Sequence, residues 1–151
     1  MDIIIRRLQE NDIEAISRIE QASFSMPWSP QDFADLLNRP YCTYLVAEVD
    51  GILAGSCGMT KLGNEGNIDN VVVAEEFRGR GIAQRLMQEL IADGEARGME
   101  AFTLEVRVSN AAAIHVYEKM GFVSEGIRPG FYEKPKEDAM IMWRRPGSAD
   151  C

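Results

Sequence analysis

The sequence predicts an α/β (α+β) fold: a mostly antiparallel central sheet of about seven strands flanked by about four helices. Three observations carry this. The apolar pattern runs β-α-α-β-β-β-α-β-α-β-β, which lacks the strict alternation of a doubly wound fold. Asp50-Gly51 stands between two apolar runs and supplies the positive φ angles of a two-residue hairpin turn. Asn67 to Val73 is a β-branched run that feeds through a glycine-rich turn into a long helix, the pattern of one right-handed parallel crossover.

The elements follow in order. Ile3 to Ile5 reads as a short strand, and Asn11-Asp-Ile-Glu14 has capping-box form ahead of Ile13, Ile16 and Ile19 at helical spacing. Phe24-Ser-Met-Pro-Trp28 breaks that helix, and Ser29-Pro30 caps and opens a second one through Leu37. Tyr44 to Val49 and Ile52 to Leu62 form the hairpin arms, and Gly63 to Gly66 turns the chain into the Asn67 to Val73 strand. The long helix closes at Gly98, Ala101 to Val106 is a strand, and Asn110 to Met120 is a helix closed by Gly121. Phe122 to Arg128 and Ala139 to Trp143 are the last two strands, around a loop rich in charge.

A chain of 151 residues with 46% hydrophobic residues suits one globular domain over 1–151, with a frayed tail from about 146. Acidic residues outnumber basic ones by 24 to 16, which argues against direct nucleic-acid binding through a basic surface and suits a positively charged partner. Cys42, Cys57 and Cys151 are odd in number and irregularly spaced, and His115 is the single histidine, so no metal site is expected. No export signal or membrane-spanning run is seen, and reduced thiols in a cytoplasmic protein are expected.

Arg78-Gly-Arg-Gly-Ile-Ala83 is the first motif with chemical content. Gly79 and Gly81 remove side chains from the approach to a helix start, where backbone N–H groups and the dipole favour an anion. Gln84 replaces the third glycine of a dinucleotide fingerprint, and no Gly-Lys-Ser/Thr follows, so neither common nucleotide motif fits. An ordinary glycine-rich turn remains the alternative. Arg78, Gly81 and Ala83 instead match Arg/Gln-x-x-Gly-x-Gly/Ala, which resembles the acetyl-coenzyme A motif of the GNAT acetyltransferases.

The second motif is Leu104-Glu-Val-Arg107, Ser109-Asn-Ala-Ala-Ala-Ile114, Tyr117-Glu118 and Gly121-Phe122. Read as residues alone, Glu105 is a carboxylate on a polar strand face with Arg107 as a candidate ion-pair partner, and Tyr117 belongs to a core stripe with Ile114 and Met120. The string as a whole resembles the RimI branch of the same family, the ribosomal-protein alanine N-acetyltransferases, and the order of elements resembles the family over the whole chain.

The resemblance implies roles. Glu105 would be the general base, directly or through a water, and Tyr117 the general acid. Val71, Val72 and Val73 would pair through their backbone with the pantetheine arm of acetyl-coenzyme A. Arg78, Gly79, Arg80, Gly81, Ile82, Ala83 and Gln84 would hold its pyrophosphate, and Asn110 would touch it, although Asn110 reads equally as a helix N-cap. Phe24, Met26, Pro27 and Trp28 would line the acceptor groove, with simple packing the alternative for the two rings. Arg128 and Tyr132 would face the acceptor from an Arg-x-x-Tyr-Tyr pattern in which Phe131 replaces one tyrosine.

The expected reaction is acetyl transfer to a protein N-terminal amine without a metal or a covalent enzyme intermediate, the acceptor being a basic ribosomal protein, the small-subunit protein numbered eighteen. An α-amino group has a pKa of about 8 against about 10.4 for lysine, so one modest base can free it near neutral pH. The competing readings are transfer to lysine or a small-molecule amine, and a non-catalytic module that binds acetyl-coenzyme A.

Overall fold

The structure is a computed structural model that describes residues 2–24, 27–133 and 135–146. Among these, seven strands form one sheet in the order β1-β2-β3-β4-β5-β7-β6. The strands are β1 (Ile3–Arg7), β2 (Cys42–Val49), β3 (Ile52–Leu62), β4 (Glu65–Val73), β5 (Ala101–Arg107), β6 (Val123–Glu133) and β7 (Lys136–Arg144). The helices are α1 (Ile13–Ser23), α2 (Pro30–Leu36), α3 (Ile82–Ala96) and α4 (Ala111–Lys119). Every neighbouring pair is antiparallel except β4 and β5.

Local chemistry accounts for most boundaries. Asp50 and Gly51 take φ of 51° and 84°, as the hairpin turn requires. Ser29 accepts from the Asp32 N–H at 3.2 Å while the Asp32 carboxylate accepts from the Ser29 N–H at 2.9 Å, a full capping box for α2. The expected box at Asn11 and Glu14 does not form. A single 3-10 turn, Glu10–Asp12, precedes α1, and Asp12 accepts from the Gln9 N–H at 2.8 Å instead. Arg6 holds that carboxylate with two hydrogen bonds of 2.7 and 2.9 Å, which keeps Asp12 below the usual carboxylate range and recruits it from the cap expected next door.

Two further expectations are corrected. The charge-rich loop is mostly strand, because β6 and β7 run on to Glu133 and Lys136 as a long hairpin. Charge alone does not end a strand whose side chains face water. The connection from β5 through α4 is a second crossover, since β6 lies at the sheet edge and β7 inserts between it and β5.

The core is split by the sheet. Leu86, Leu90, Phe102, Leu104, Tyr117 and Phe122 belong to the larger cluster, under α3 and α4, while Ile13, Ile16, Phe33 and Tyr44 form the smaller one under α1 and α2. Gly94 lets α3 approach the sheet, because a Cβ there would stand 2.5 Å from the Phe102 ring. Helix propensity alone favours alanine over glycine by about 1 kcal/mol. Here the clash outweighs it, and Gly94→Ala is expected to destabilise the protein by about 1–3 kcal/mol, read as a lowered Tm in a thermal melt.

Candidate active site

Strands β4 and β5 pair only at Glu65–Ala101, Gly66–Phe102 and Asn67–Thr103. Beyond these residues β4 keeps β3 as its partner and β5 keeps β7, so the two parallel strands part. The β5-facing edge of residues 68–73 therefore has no strand partner among the described residues. Such an edge suits an extended ligand with amide groups, which can complete the missing hydrogen bonds.

A bulge shapes the β4 side of the opening. Gly58 faces Asp69 and Ser56 faces Val72, so β4 carries one residue more than β3 over this stretch. Asn70 absorbs it at φ 55°, a left-handed conformation that asparagine tolerates better than most residues.

The side chain of Asn70 is held by Glu20. Its Nδ2 donates to both Glu20 oxygens at 3.3 and 3.1 Å, the Tyr44 hydroxyl donates at 2.8 Å, and the Trp28 N–H donates at 3.4 Å. Ser56 Oγ lies 3.2 Å from the Tyr44 hydroxyl. Glu20 is fully buried and, among the described residues, accepts only from neutral groups, and burial pushes its carboxyl above the usual range against the pull of those hydrogen bonds. One carboxylate thus joins α1, the α1–α2 loop, β2 and the β4 bulge.

At the end of β4 the chain reaches the glycine turn. Gly79 and Gly81 have φ of 80° and 77°, and a Cβ on either would meet nothing within 4 Å, so the turn is open to an incoming group. Gly81 caps α3 without a side-chain hydrogen bond, leaving first-turn N–H groups for a ligand. Arg78 spans the opening, with Nε on the Val73 carbonyl at 3.0 Å and a terminal nitrogen 3.3 Å from Ser23 Oγ. Arg80 stacks on Phe77 at 5.4 Å.

On the β5 side stand Glu105 and, from α4, Tyr117. Glu105 is half-buried and lies 3.4 Å from Arg128. The pairing with Arg107 suggested by strand periodicity is not made: Arg107 bonds Glu137 at 3.2 Å and stacks over Tyr132 at 4.3 Å. Arg128 pairs in register with Ala139, which Arg107 also flanks, just before a register shift on β6, and it lies beside Glu105. Tyr117 is 7% exposed, and burial, with Cys57 and Tyr132 nearby, raises its hydroxyl well above the ordinary phenol range. It stays protonated at any working pH.

The structure thus brings Glu105, Tyr117, Arg128 and Tyr132 to one side of the parted strands, and Val71 to Val73 with residues 78–84 to the other. Asn110 is the N-cap of α4, accepting from the Ala113 N–H at 3.2 Å, so its capping role is realised. Trp28 packs at 5.3 Å from Phe33 and 6.0 Å from Tyr44 at the rim of the smaller core, while Phe24 is the C-cap of α1. Met26 lies outside the described residues.

Sequence reasoning missed Glu20, Tyr44, Asp69 and Asn70. An Asp-Asn pair inside a β-branched run was the available signal, since both types are depleted in strands and marked the bulge. Nothing local in the sequence links Glu20 to it.

Residues 13–122 match the Acetyltransferase (GNAT) family. The [ribosomal protein bS18]-alanine N-acetyltransferase of Escherichia coli (strain K12) is 34% identical over 140 residues, covering 91% of this chain and 94% of its own length. A crystal structure of the ribosomal-protein-S18-alanine N-acetyltransferase from Escherichia coli superposes with a TM-score of 0.87 at 30% identity, over 99% of this chain and 96% of that one. The NatC complex bound to Gag peptide and CoA matches with a TM-score of 0.83 at 25% identity, over 96% of this chain and 99% of that one.

Proposed function

Because this chain belongs to the GNAT acetyltransferase family and is an acetyl-coenzyme A-dependent N-acetyltransferase, we propose that its acceptor is a protein N-terminal amine, physiologically the N-terminal alanine of ribosomal protein bS18. The observation that carries the reading is the similarity, over nine-tenths of the chain, to a relative named for that acceptor. A ribosomal-protein acceptor makes the cytoplasm the place of action. Among the described residues no helix is long and apolar enough to cross a membrane.

The unpartnered β4 edge and the open glycine turn fit coenzyme A, an extended amide-bearing chain that ends in a pyrophosphate. The backbone of Val71 to Val73 would hold the pantetheine arm, residues 78–84 the pyrophosphate, and Asn110 would add a side-chain contact from the start of α4. When bound, acetyl-coenzyme A supplies an acetyl group activated as a thioester.

Glu105 takes the proton from the acceptor amine, directly or through a water. As the amine nitrogen bonds to the acetyl carbon and the carbon–sulfur bond breaks, the Tyr117 hydroxyl supplies a proton to the departing sulfur. Burial makes Tyr117 a weaker acid than free phenol, so its donation relies on the charge developing on sulfur within a water-poor site. Arg128 orients Glu105. Phe24, Pro27, Trp28 and Tyr132 line the approach. The chain's net charge of −8 favours encounter with a basic peptide.

Intact-mass spectrometry of two peptides tests the acceptor. One carries a free Ala-Arg N-terminus; the other is capped there and contains lysines. A single acetyl on the first alone is the expected result. Acetylation of the second would move the acceptor to lysine, and reaction of neither would point to a metabolite amine.

A further inference from the structure

Asp69 sits on β4 one residue before the bulge, in register with Gly58. Its Oδ1 lies 3.0 Å from the point where a Cβ on Gly58 would stand, and the Tyr44 ring comes within 2.8 Å of the same point. The absence of a side chain at position 58 is what lets carboxylate and ring share that space.

No hydrogen bond or ion pair reaches the Asp69 carboxylate among the described residues. Arg128 is paired with Glu105 and Arg107 with Glu137. Among the described residues the ionisable groups that face Asp69 are Glu20 on α1, Tyr44 on β2, Cys57 on β3 and Glu105 on β5, and none of these carries positive charge. Burial first, then Glu20 and Glu105, push its carboxyl up to about 6. Near neutral pH the fold therefore keeps a half-buried anion at the parted strands that it does not neutralise. Ionised groups left so are destabilising, and where they persist beside a reaction site they await a partner from outside.

We propose that Asp69 receives the ammonium group of the acceptor on the side of the cleft opposite Glu105, so that a pair of carboxylates from β4 and β5 selects a free amine and holds it for deprotonation. The inference rests on the reading of this cleft as the acceptor site. It gives the pair separate tasks: Glu105 removes a proton, while Asp69 keeps a second N–H and thereby directs the lone pair that remains. The substrate class follows from the charge arrangement. A cationic amine gains two counter-charges, and an acylated or otherwise neutral N-terminus leaves both carboxylates buried behind it.

Isothermal calorimetry in the presence of coenzyme A, which binds without reacting, compares an Ala-Arg peptide with its N-acetylated twin at pH 7.5. Wild type is expected to prefer the free amine, and Asp69→Asn to lose roughly tenfold of that preference while its Kd for coenzyme A stays within twofold. Asp69→Glu recovers part of it. In steady-state kinetics the same Asp69→Asn raises the peptide KM more than it lowers kcat.

Folding is checked by Tm. Because the native state raises the Asp69 pKa above its unfolded value, ionisation above about 6 weakens the native state. Asp69→Asn is thus expected to melt higher than wild type at pH 7.5, with the gain fading toward pH 4. An unchanged preference in a folded Asp69→Asn overturns the proposal and leaves the acceptor reading standing. A wild type that does not distinguish the two peptides overturns the acceptor reading itself and the inference with it.

Discussion

Glu105→Gln is expected to lower kcat toward a free-amine peptide by about 10²–10⁴-fold while acetyl-coenzyme A affinity, read by calorimetry, stays within twofold. Glutamine keeps the shape of glutamate and a hydrogen-bond acceptor, but it cannot take a proton from an amine at neutral pH. The effect should sit in kcat because the side chain lies on β5, across the parting from the β4 edge and glycine turn assigned to the cofactor. Tyr117→Phe should also act mainly on kcat. Since burial keeps that hydroxyl protonated, the alkaline limb of the wild-type pH profile is not expected to report Tyr117. Full turnover by both variants would remove this pair from the chemistry.

The second large effect is on stability. Glu20→Ala leaves the Tyr44 hydroxyl, the Asn70 amide and the Trp28 N–H without their acceptor in a buried setting. An unsatisfied buried donor costs about 1–3 kcal/mol, and partial water entry relieves some of it, so a net loss of about 3 kcal/mol is expected. In a chain of this size that lowers Tm by about 10 °C. The same change frees the β4 bulge, so coenzyme A affinity should fall with stability, unlike in Glu105→Gln.

Glu20→Gln separates charge from geometry. Its amide retains one acceptor but sets two N–H groups against existing donors. Burial raises the Glu20 pKa above its unfolded value, so ionisation weakens the native state as pH rises out of the usual carboxylate range. The difference in Tm between wild type and Glu20→Gln should therefore shift toward Glu20→Gln as pH rises from about 4 to 7. A pH-independent difference would show that folding leaves the Glu20 pKa unchanged.

These variants separate two kinds of residue in the cleft. Glu105 and Tyr117, the base and acid proposed for the reaction, stand in a compact run of sequence, Leu104 to Phe122. Glu20 and Asn70, fifty positions apart in the chain, shape the opening in which it takes place.

The sequence by itself determined the order and type of the elements, the hairpin at Asp50-Gly51, the strand-turn-helix at Asn67 to Ala96 and the family, because each rests on local rules. Glycine, or an Asp or Asn such as Asp50, suits a turn where φ is positive, Ser29 and Asn110 cap helices through their own neighbours, and apolar spacing fixes which face turns inward. Tertiary structure alone decided the insertion of β7 between β5 and β6, the parting of β4 from β5, the exchange of Arg107 for Arg128 beside Glu105, and the meeting of Glu20 with Asn70. Each of these depends on pairing between distant segments, where one extra residue in β4 or one register shift in β6 redirects the side chains around it.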